Sequence, residues 1–337
     1  MYTAKASRYG TMEYHRCGRS GLRLPAVSLG FWHNFGGTGV FENMKQLCFT
    51  AFDNGITYFD LANNYGPPDG SAEENLGRIL RDDLKGYRDE LLISTKAGYT
   101  MWPGPYGDWG SRKYLLASLD QSLRRLGLDY VDIFYHHRMD PETPLEESMM
   151  ALDQAVKSGK ALYAGISNYD CTTTLRAMEI LRELRCPFII NQVRYSIFDR
   201  HIEQDGLKQA AAEHGCGLIA FSPLAQGLLT ERYLHGVPAD SRMRTDGRFL
   251  GEGALTPVRL EQIRRLHALA QERSQTLSQM ALRWILRDGE VTSVLIGASK
   301  PEQILENLEF LQQPPLTEEE CRRIDEIYAL CPTYQCR

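Results

Sequence analysis

The sequence predicts an α/β protein, a single (β/α)8 TIM barrel with an N-terminal β-hairpin before it and an extra C-terminal helix after it. Eight short apolar, β-branched or aromatic runs recur along the chain, most of them followed by a stretch of helical periodicity. Alternating units of this kind give a parallel sheet, because parallel neighbours need a crossover connection. Eight units in 337 residues, with no change of composition between the halves, favour one closed barrel over two doubly wound domains. The expected domain is the whole chain, 1–337.

In chain order, residues 12–24 read as two short strands about Gly18-Arg19-Ser20-Gly21, a hairpin placed to plug one barrel end. After Pro25, residues 26–32 form the first buried strand, then a glycine-rich loop covers 33–39. Residues 42–53 put Met44, Leu47, Cys48, Ala51 and Phe52 on one helical face and stop at Asn54-Gly55. Strand 56–61 leads to a helix over 72–84, strand 91–95 to a helix over 112–126 capped by Ser111, and strand 130–135 to a helix over 145–158. Strands 161–166 and 188–192 lead to helices over 171–184 and 204–214. Strand 217–221 opens a long excursion, and strand 291–296 leads to a helix over 301–311. The extra helix, 317–329, begins with the capping box of Thr317 and Glu320. Two loops are long for the fold: 98–110, aromatic and glycine-rich, and 222–255, which carries Arg232, Arg242, Arg244 and Arg248. Both follow strand C-termini, where barrel enzymes build their sites.

Lys and Arg number 38 against 43 Asp and Glu, a net charge of −5, with no run of five like charges. Nothing therefore points to nucleic acid or a membrane surface. No apolar stretch reaches 18 residues and the N-terminus leads into no apolar signal core, so a cytoplasmic protein is expected. The cysteines (17, 48, 171, 186, 216, 321, 331 and 336) contain no Cys-x-x-Cys, which favours reduced thiols over zinc. Cys331 and Cys336 are the close pair; free thiols are expected there, with a tail disulfide as the alternative.

Three adjacent strands each bring ionisable groups to one rim. Asp60 ends strand two with Tyr65 one short turn later, Lys96 ends strand three, and His136-His137-Arg138 end strand four. Singly, each is most simply a cap or a solvated charge; together at converging strand ends they read as catalytic. The set suits proton delivery to a carbonyl. A phenol of pKa about 10 is a weak acid near neutrality, a lysine beside it would lower that value, Asp60 would keep Lys96 charged, and a histidine would hold the substrate oxygen. Alternation lets only one of His136 and His137 face the lumen, and parity leaves open which. A metal site lacks His-x-x-x-His or paired-carboxylate spacing, so none is expected. A Schiff-base Lys96 needs a neutral amine, which Asp60 opposes.

No Gly-x-Gly-x-x-Gly follows a strand, so a Rossmann site is not expected. Instead Ser222-Pro223-Leu224-Ala225-Gln226-Gly227 after strand seven and Gly297-Ala298-Ser299-Lys300 at a helix start after strand eight occupy the fold's usual phosphate position. Lys300, Arg232 and Arg242 could meet a further phosphate.

The motifs Phe59-Asp60-Leu61-Ala62-Asn63-Asn64-Tyr65-Gly66, Ser94-Thr95-Lys96, Asp132 to Arg138, Gly165-Ile166-Ser167-Asn168, Asn191-Gln192-Val193, Phe221 to Leu224, and Leu295 to Ser299 continuing to Glu306-Asn307 resemble the aldo-keto reductase superfamily. The resemblance implies a tetrad of Asp60, Tyr65, Lys96 and His137, choosing position 137. It further implies that Ser167, Asn168 and Gln192 hold a nicotinamide carboxamide, with Phe221 stacked under the ring. Ser222, Pro223, Leu224, Gln226 and Gly227 would line the pyrophosphate, with Phe31, Trp32, Asp60 and Gly297 also against the cofactor. Arg232, Arg242, Ser299, Gln303, Glu306 and Asn307 would hold the adenosine end, with NADPH expected over NADH.

Within the superfamily the chain is similar to the bacterial L-glyceraldehyde 3-phosphate reductase group, through Trp32-His33-Asn34-Phe35-Gly36 and 97–107 among others. It is also similar to voltage-gated potassium channel β subunits, which tend to carry Asn at the position of His137. The intact tetrad favours an enzyme, with a non-catalytic or redox-sensing module as the alternative, and a homo-oligomer is among the implied assemblies. Trp32, Trp102 and Trp109 are placed to wall the space above Tyr65 and His137, with His33 and Arg138 as the groups able to meet an anion. Such a pocket suits a short aldehyde ending in phosphate. The alternative is a pocket open to many reactive aldehydes, methylglyoxal-type included, with Arg138 salt-bridged to a neighbouring acid.

Overall fold

A computed structural model describes residues 2–234, 236–237 and 251–332. Tyr14–Arg16 (β1) and Arg23–Pro25 (β2) pair antiparallel, Tyr14 opposite Pro25. Gly18 takes the turn at φ 52°, where a Cβ would lie 2.2 Å from the Gly215 carbonyl oxygen, so only glycine fits. Cys17 and Leu24 bury fully among the lumen side chains Tyr58, Ile133, Ile190 and Ile219, so the hairpin closes the N-terminal end of the barrel as expected.

Eight parallel strands follow: Val27–Gly30 (β3), Tyr58–Asp60 (β4), Leu92–Ala97 (β5), Val131–His136 (β6), Ala161–Ser167 (β7), Phe188–Arg194 (β8), Gly217–Phe221 (β9) and Ser293–Ile296 (β10). They lie in sequence order and close by pairing β10 with β3, Val294 opposite Val27. The register places Asp60 opposite Ser94, Lys96 opposite Tyr135, and Ser167 opposite Gln192. With side chains alternating between lumen and helix layer, this register decides which groups can meet at the C-terminal mouth.

Helices Phe41–Asp53, Arg112–Leu126, Leu145–Lys157, Cys171–Glu183 and Glu318–Ala329 stand where periodicity puts them. Ser111 accepts the Tyr114 amide and the Thr317/Glu320 box forms in both directions. Three stretches differ. The helix expected over 72–84 is α-helical only as Ser71–Ile79, then widens to a π turn, Leu80–Leu84, and tightens to a 3-10 segment, Lys85–Glu90. The helix over 204–214 is split into His201–Gln204 and Leu207–His214 by Gly206 at φ 81°. Beyond β9 the chain does return to helix, as Pro257–Glu272 and Leu277–Ile285, neither of which the periodicity reading found.

The thiols of Cys17, Cys48, Cys171, Cys186, Cys216 and Cys321 are free, whereas Cys336 lies outside the described residues. Among the described residues no helix is long and apolar enough to cross a membrane.

Candidate active site

Asp60 is the last residue of β4 and Lys96 the fifth of β5, and alternation from the Asp60–Ser94 register points Ser94 and Lys96 to the same side. Lys96 and Asp60 are fully buried, with Nζ 2.5 Å from Oδ2. The other carboxylate oxygen accepts Ser94 Oγ at 2.8 Å and Gln192 Nε2 at 2.9 Å. A buried ion pair is tolerable only when its remaining valences are met; here each carboxylate oxygen has a donor. Lys96 Nζ also donates to the Leu61 carbonyl at 2.7 Å and to Tyr65 Oη at 3.4 Å.

The two histidines separate cleanly. His137 stands with Tyr65, ring centroids 5.9 Å apart at 71°, while Tyr99 meets its ring edge-on at 4.7 Å. His136 points into the helix layer, where Nδ1 lies 2.7 Å from Tyr169 Oη. Position 137 therefore faces the mouth, and the Nδ1 of His137 is buried without a hydrogen-bond partner.

Burial dominates the titration of His137, His136, Lys96 and Tyr65. It holds His137 well below the ordinary imidazole value, with Lys96, His136 and Arg138 adding to the effect, so this ring is neutral. It takes His136 down to about 4. Burial also lowers the Lys96 ammonium, against the opposing pull of Asp60. Tyr65 is pushed well above 10 by burial, then by Asp60 and Tyr99, which corrects the expectation of a lowered phenol. Lys96 offers little against this burial: its shortest bonds go to Asp60 and Leu61, and its contact with Tyr65 is the longest of the three.

Around this core, Asn168 (φ 59°) donates to Ser167 Oγ at 3.2 Å and to the His137 carbonyl at 3.0 Å, and Ser167 Oγ donates to the Gln192 carbonyl at 2.9 Å. Ser167, Asn168 and Gln192 are thus tied to His137 and Asp60. In the loop after β9, Ser222, Ala225 and Gln226 have φ of 52°, 47° and 56°. Left-handed backbone at non-glycine residues is costly and clusters at functional sites; Phe221, Pro223, Leu224 and Gly227 lie in the same stretch. After β10, Gln303 Oε1 accepts both the amide and the Oγ of Ser299, and Lys300 precedes the helix Pro301–Leu308. Asn34 in the loop after β3 and Asn43 on the helix Phe41–Asp53 donate to the Ala298 and Ser299 carbonyls, tying both to the β10 loop beside exposed Gly297. Asn307 is buried on that helix, and the Glu306 carbonyl accepts Gln279 Nε2. Arg232 is exposed in the short turn Glu231–Tyr233; Arg242, Arg244 and Arg248 lie outside the described residues. Phe31 is fully buried against Phe35 and Phe59, and its amide donates to the Asp60 carbonyl.

At the rim, the rings of Trp32 and His33 lie 3.9 Å apart and Trp102 packs on Tyr114 at 5.2 Å. Arg138 donates to the Gly98 carbonyl and to Asp108 Oδ1, each at 2.7 Å, with its guanidinium 3.6 Å from the Trp109 ring centre. Asp108 is held in turn by the Trp109 amide and Thr100 Oγ1. The acid-paired alternative for Arg138 is thus the arrangement present. Sequence reasoning missed Asp108, Tyr99 and Ser94; for Ser94 the two-residue offset from Lys96 was a usable signal.

Asp60, Tyr65, Lys96 and His137 thus meet at the C-terminal mouth of a closed parallel barrel. The profile of the Aldo/keto reductase family matches residues 26–329, so the chain belongs to that family and is an oxidoreductase. It is 56% identical over 329 residues to the L-glyceraldehyde 3-phosphate reductase of Escherichia coli (strain K12), covering 97% of this chain and 95% of that protein. It is also 35% identical over 324 residues to a probable voltage-gated potassium channel subunit beta of Oryza sativa subsp. japonica, covering 95% and 96%. A putative subunit of the same kind from Schizosaccharomyces pombe is 37% identical over 328 residues, covering 94% and 93%.

Proposed function

We propose that this chain reduces short aldehydes to alcohols with NADPH, glyceraldehyde 3-phosphate foremost, and that Tyr65 delivers the proton. The observation that carries the reading is Lys96 Nζ, 2.5 Å from Asp60 and 3.4 Å from Tyr65 Oη, with the His137 ring 5.9 Å from that of Tyr65. The cofactor suits the residues present. The amide donors of Asn168 and Gln192 lie beside the tetrad, the strained backbone of 222–226 offers a cradle, and a helix start at Lys300-Pro301 favours an anion. When bound, the nicotinamide supplies the hydride to the carbonyl carbon.

The protein's own part is proton handling. Tyr65, whose pKa is raised, keeps its proton at working pH and gives it to the carbonyl oxygen as that oxygen gains charge. The Lys96 ammonium stabilises the phenolate left behind, and Asp60 holds the ammonium in place. Neutral His137 can donate one hydrogen bond to the same oxygen. The free thiols of Cys17, Cys48, Cys171, Cys186, Cys216 and Cys321 fit a reducing compartment, and we place the protein in the cytoplasm, with a homo-oligomer as the proposed assembly.

The phosphate preference is supported by the name of the bacterial relative and by His33 and Arg138 near the mouth. A broader aldehyde specificity, including methylglyoxal, is favoured by the Arg138–Asp108 pair, since a carboxylate already satisfies that cation. Comparing kcat/KM for glyceraldehyde 3-phosphate and glyceraldehyde, with NADPH and with NADH, decides between them. A preference of about tenfold or more, about 1.4 kcal/mol, supports the phosphate reading, and a ratio near one supports the broad pocket.

A further inference from the structure

We propose that Tyr135, Tyr58 and Ser94 form a chain of hydroxyl groups ending on Asp60 Oδ1, and that these three are positioning residues which fix the Asp60–Lys96 pair for proton transfer. The inference rests on the proposed function for its role in turnover, but its geometry stands apart from any substrate. Lumens of this fold are filled mainly by branched aliphatic side chains. Here two fully buried tyrosines stand next to the ion pair, Tyr58 two residues before Asp60 and Tyr135 opposite Lys96. Their hydroxyl oxygens are 2.7 Å apart; Tyr58 Oη is 3.1 Å from Ser94 Oγ, and Ser94 Oγ is 2.8 Å from Asp60 Oδ1.

The carboxylate sets the direction of the chain, because an ionised carboxylate only accepts. Ser94 must donate to Asp60, so its lone pair accepts Tyr58, and the lone pair of Tyr58 accepts Tyr135. Burial and the charge of Asp60 push both phenols well above 10, which keeps all three protons in place. Phenylalanine would fill the same volumes with no buried polar group to satisfy, so packing alone gives no reason for two hydroxyls here. The Tyr135 ring also has room made for it: a Cβ at Gly165 would lie 2.6 Å from two of its ring carbons. That ring centre is 5.7 Å from Lys96 Nζ, so one side chain supports the pair through both its face and its hydroxyl.

Titratable groups around the pair are Tyr58, Tyr65, Tyr135 and His137, with Glu73 and Tyr99 further out and Cys17 beneath the tyrosines. Removing the Ser94 hydroxyl takes one donor from Asp60, frees the carboxylate to turn away from Lys96 and so weakens its support for the ammonium. The Lys96 titration then moves to lower pH. The test is the Lys96 titration midpoint in lysine labelled with carbon-13 at Cε, assigned with Lys96→Met and followed in wild type, Ser94→Ala, Tyr58→Phe and Tyr135→Phe. We expect a downward shift of at least about 0.5 pH unit for Ser94→Ala, and smaller shifts of the same sign for Tyr58→Phe and then Tyr135→Phe. The alkaline limb of kcat/KM for aldehyde reduction should move in parallel. An unchanged midpoint in all three folded variants, with only the melting temperature lowered, overturns the proposal. A shifted midpoint in a chain whose wild type reduces no aldehyde would instead overturn the proposed function and leave the chain's control of Lys96 standing.

Discussion

Lys96 Nζ lies 2.5 Å from Asp60 Oδ2 but 3.4 Å from Tyr65 Oη, so in the resting enzyme the ammonium belongs to the carboxylate. Burial first, then Asp60 and Tyr99, holds the phenol above its usual pKa rather than below it. Proton release is then a property of the reacting state, when charge grows on the carbonyl oxygen and the phenolate that remains draws Lys96 closer. Lys96→Met should lower kcat by about 10² or more, the typical worth of a group acting on the transferred proton. Steady-state kinetics at saturating cofactor check this, and retention of more than a tenth of the wild-type rate would contradict it.

A second expectation concerns acid stability. The folded pKa of His136 is depressed to about 4 from an unfolded value of 6.5. The stability that goes with the neutral ring is fully present above 6.5, and is lost as pH falls from there towards 4. The full effect is on the order of 3 kcal/mol. Urea unfolding at pH 7 and pH 5 should show wild type losing more stability over that interval than His136→Asn, even if the variant starts lower.

Arg138 supplies the substrate test. If phosphate competes with Asp108 for its guanidinium, Arg138→Ala combined with His33→Ala should lower kcat/KM for glyceraldehyde 3-phosphate at least about tenfold more than for glyceraldehyde. Equal losses on both substrates would make the Arg138–Asp108 pair a clamp on the loop over 98–110 and nothing more.

For the cofactor, neutralising Arg232 should weaken NADPH binding by about 1.5 to 3 kcal/mol, the scale of a hydrogen bond to a charged group, and leave NADH nearly unchanged. Fluorescence titration of both cofactors measures it. Arg242, which the family resemblance also sets at the adenosine end, should behave in the same way.

How much of this was legible beforehand varies with the physics involved. The barrel strands announce themselves because each is a short buried run, and strand ends place Asp60 and Lys96 on one rim from position alone. The facing of His136 and His137 was unreadable, since an uncertainty of one residue in a strand's pleat reverses every side chain. The helices Pro257–Glu272 and Leu277–Ile285 carry cap signals, Thr256-Pro257 and the Thr276/Gln279 box, but they follow an insertion too long for strand-to-helix spacing to flag them. The raised phenol of Tyr65 and the pairing of Arg138 with Asp108 depend on which groups burial brings together, and no local pattern encodes that.

The most direct measurement is NADPH oxidation by Tyr65→Phe with glyceraldehyde 3-phosphate, set beside cofactor binding by the same variant. Removing the general acid should lower kcat by about 10² or more while NADPH binds as it does to wild type. A variant that turns over within a few-fold of wild type, or one that is inactive because it no longer binds NADPH, would contradict Tyr65 as the proton donor.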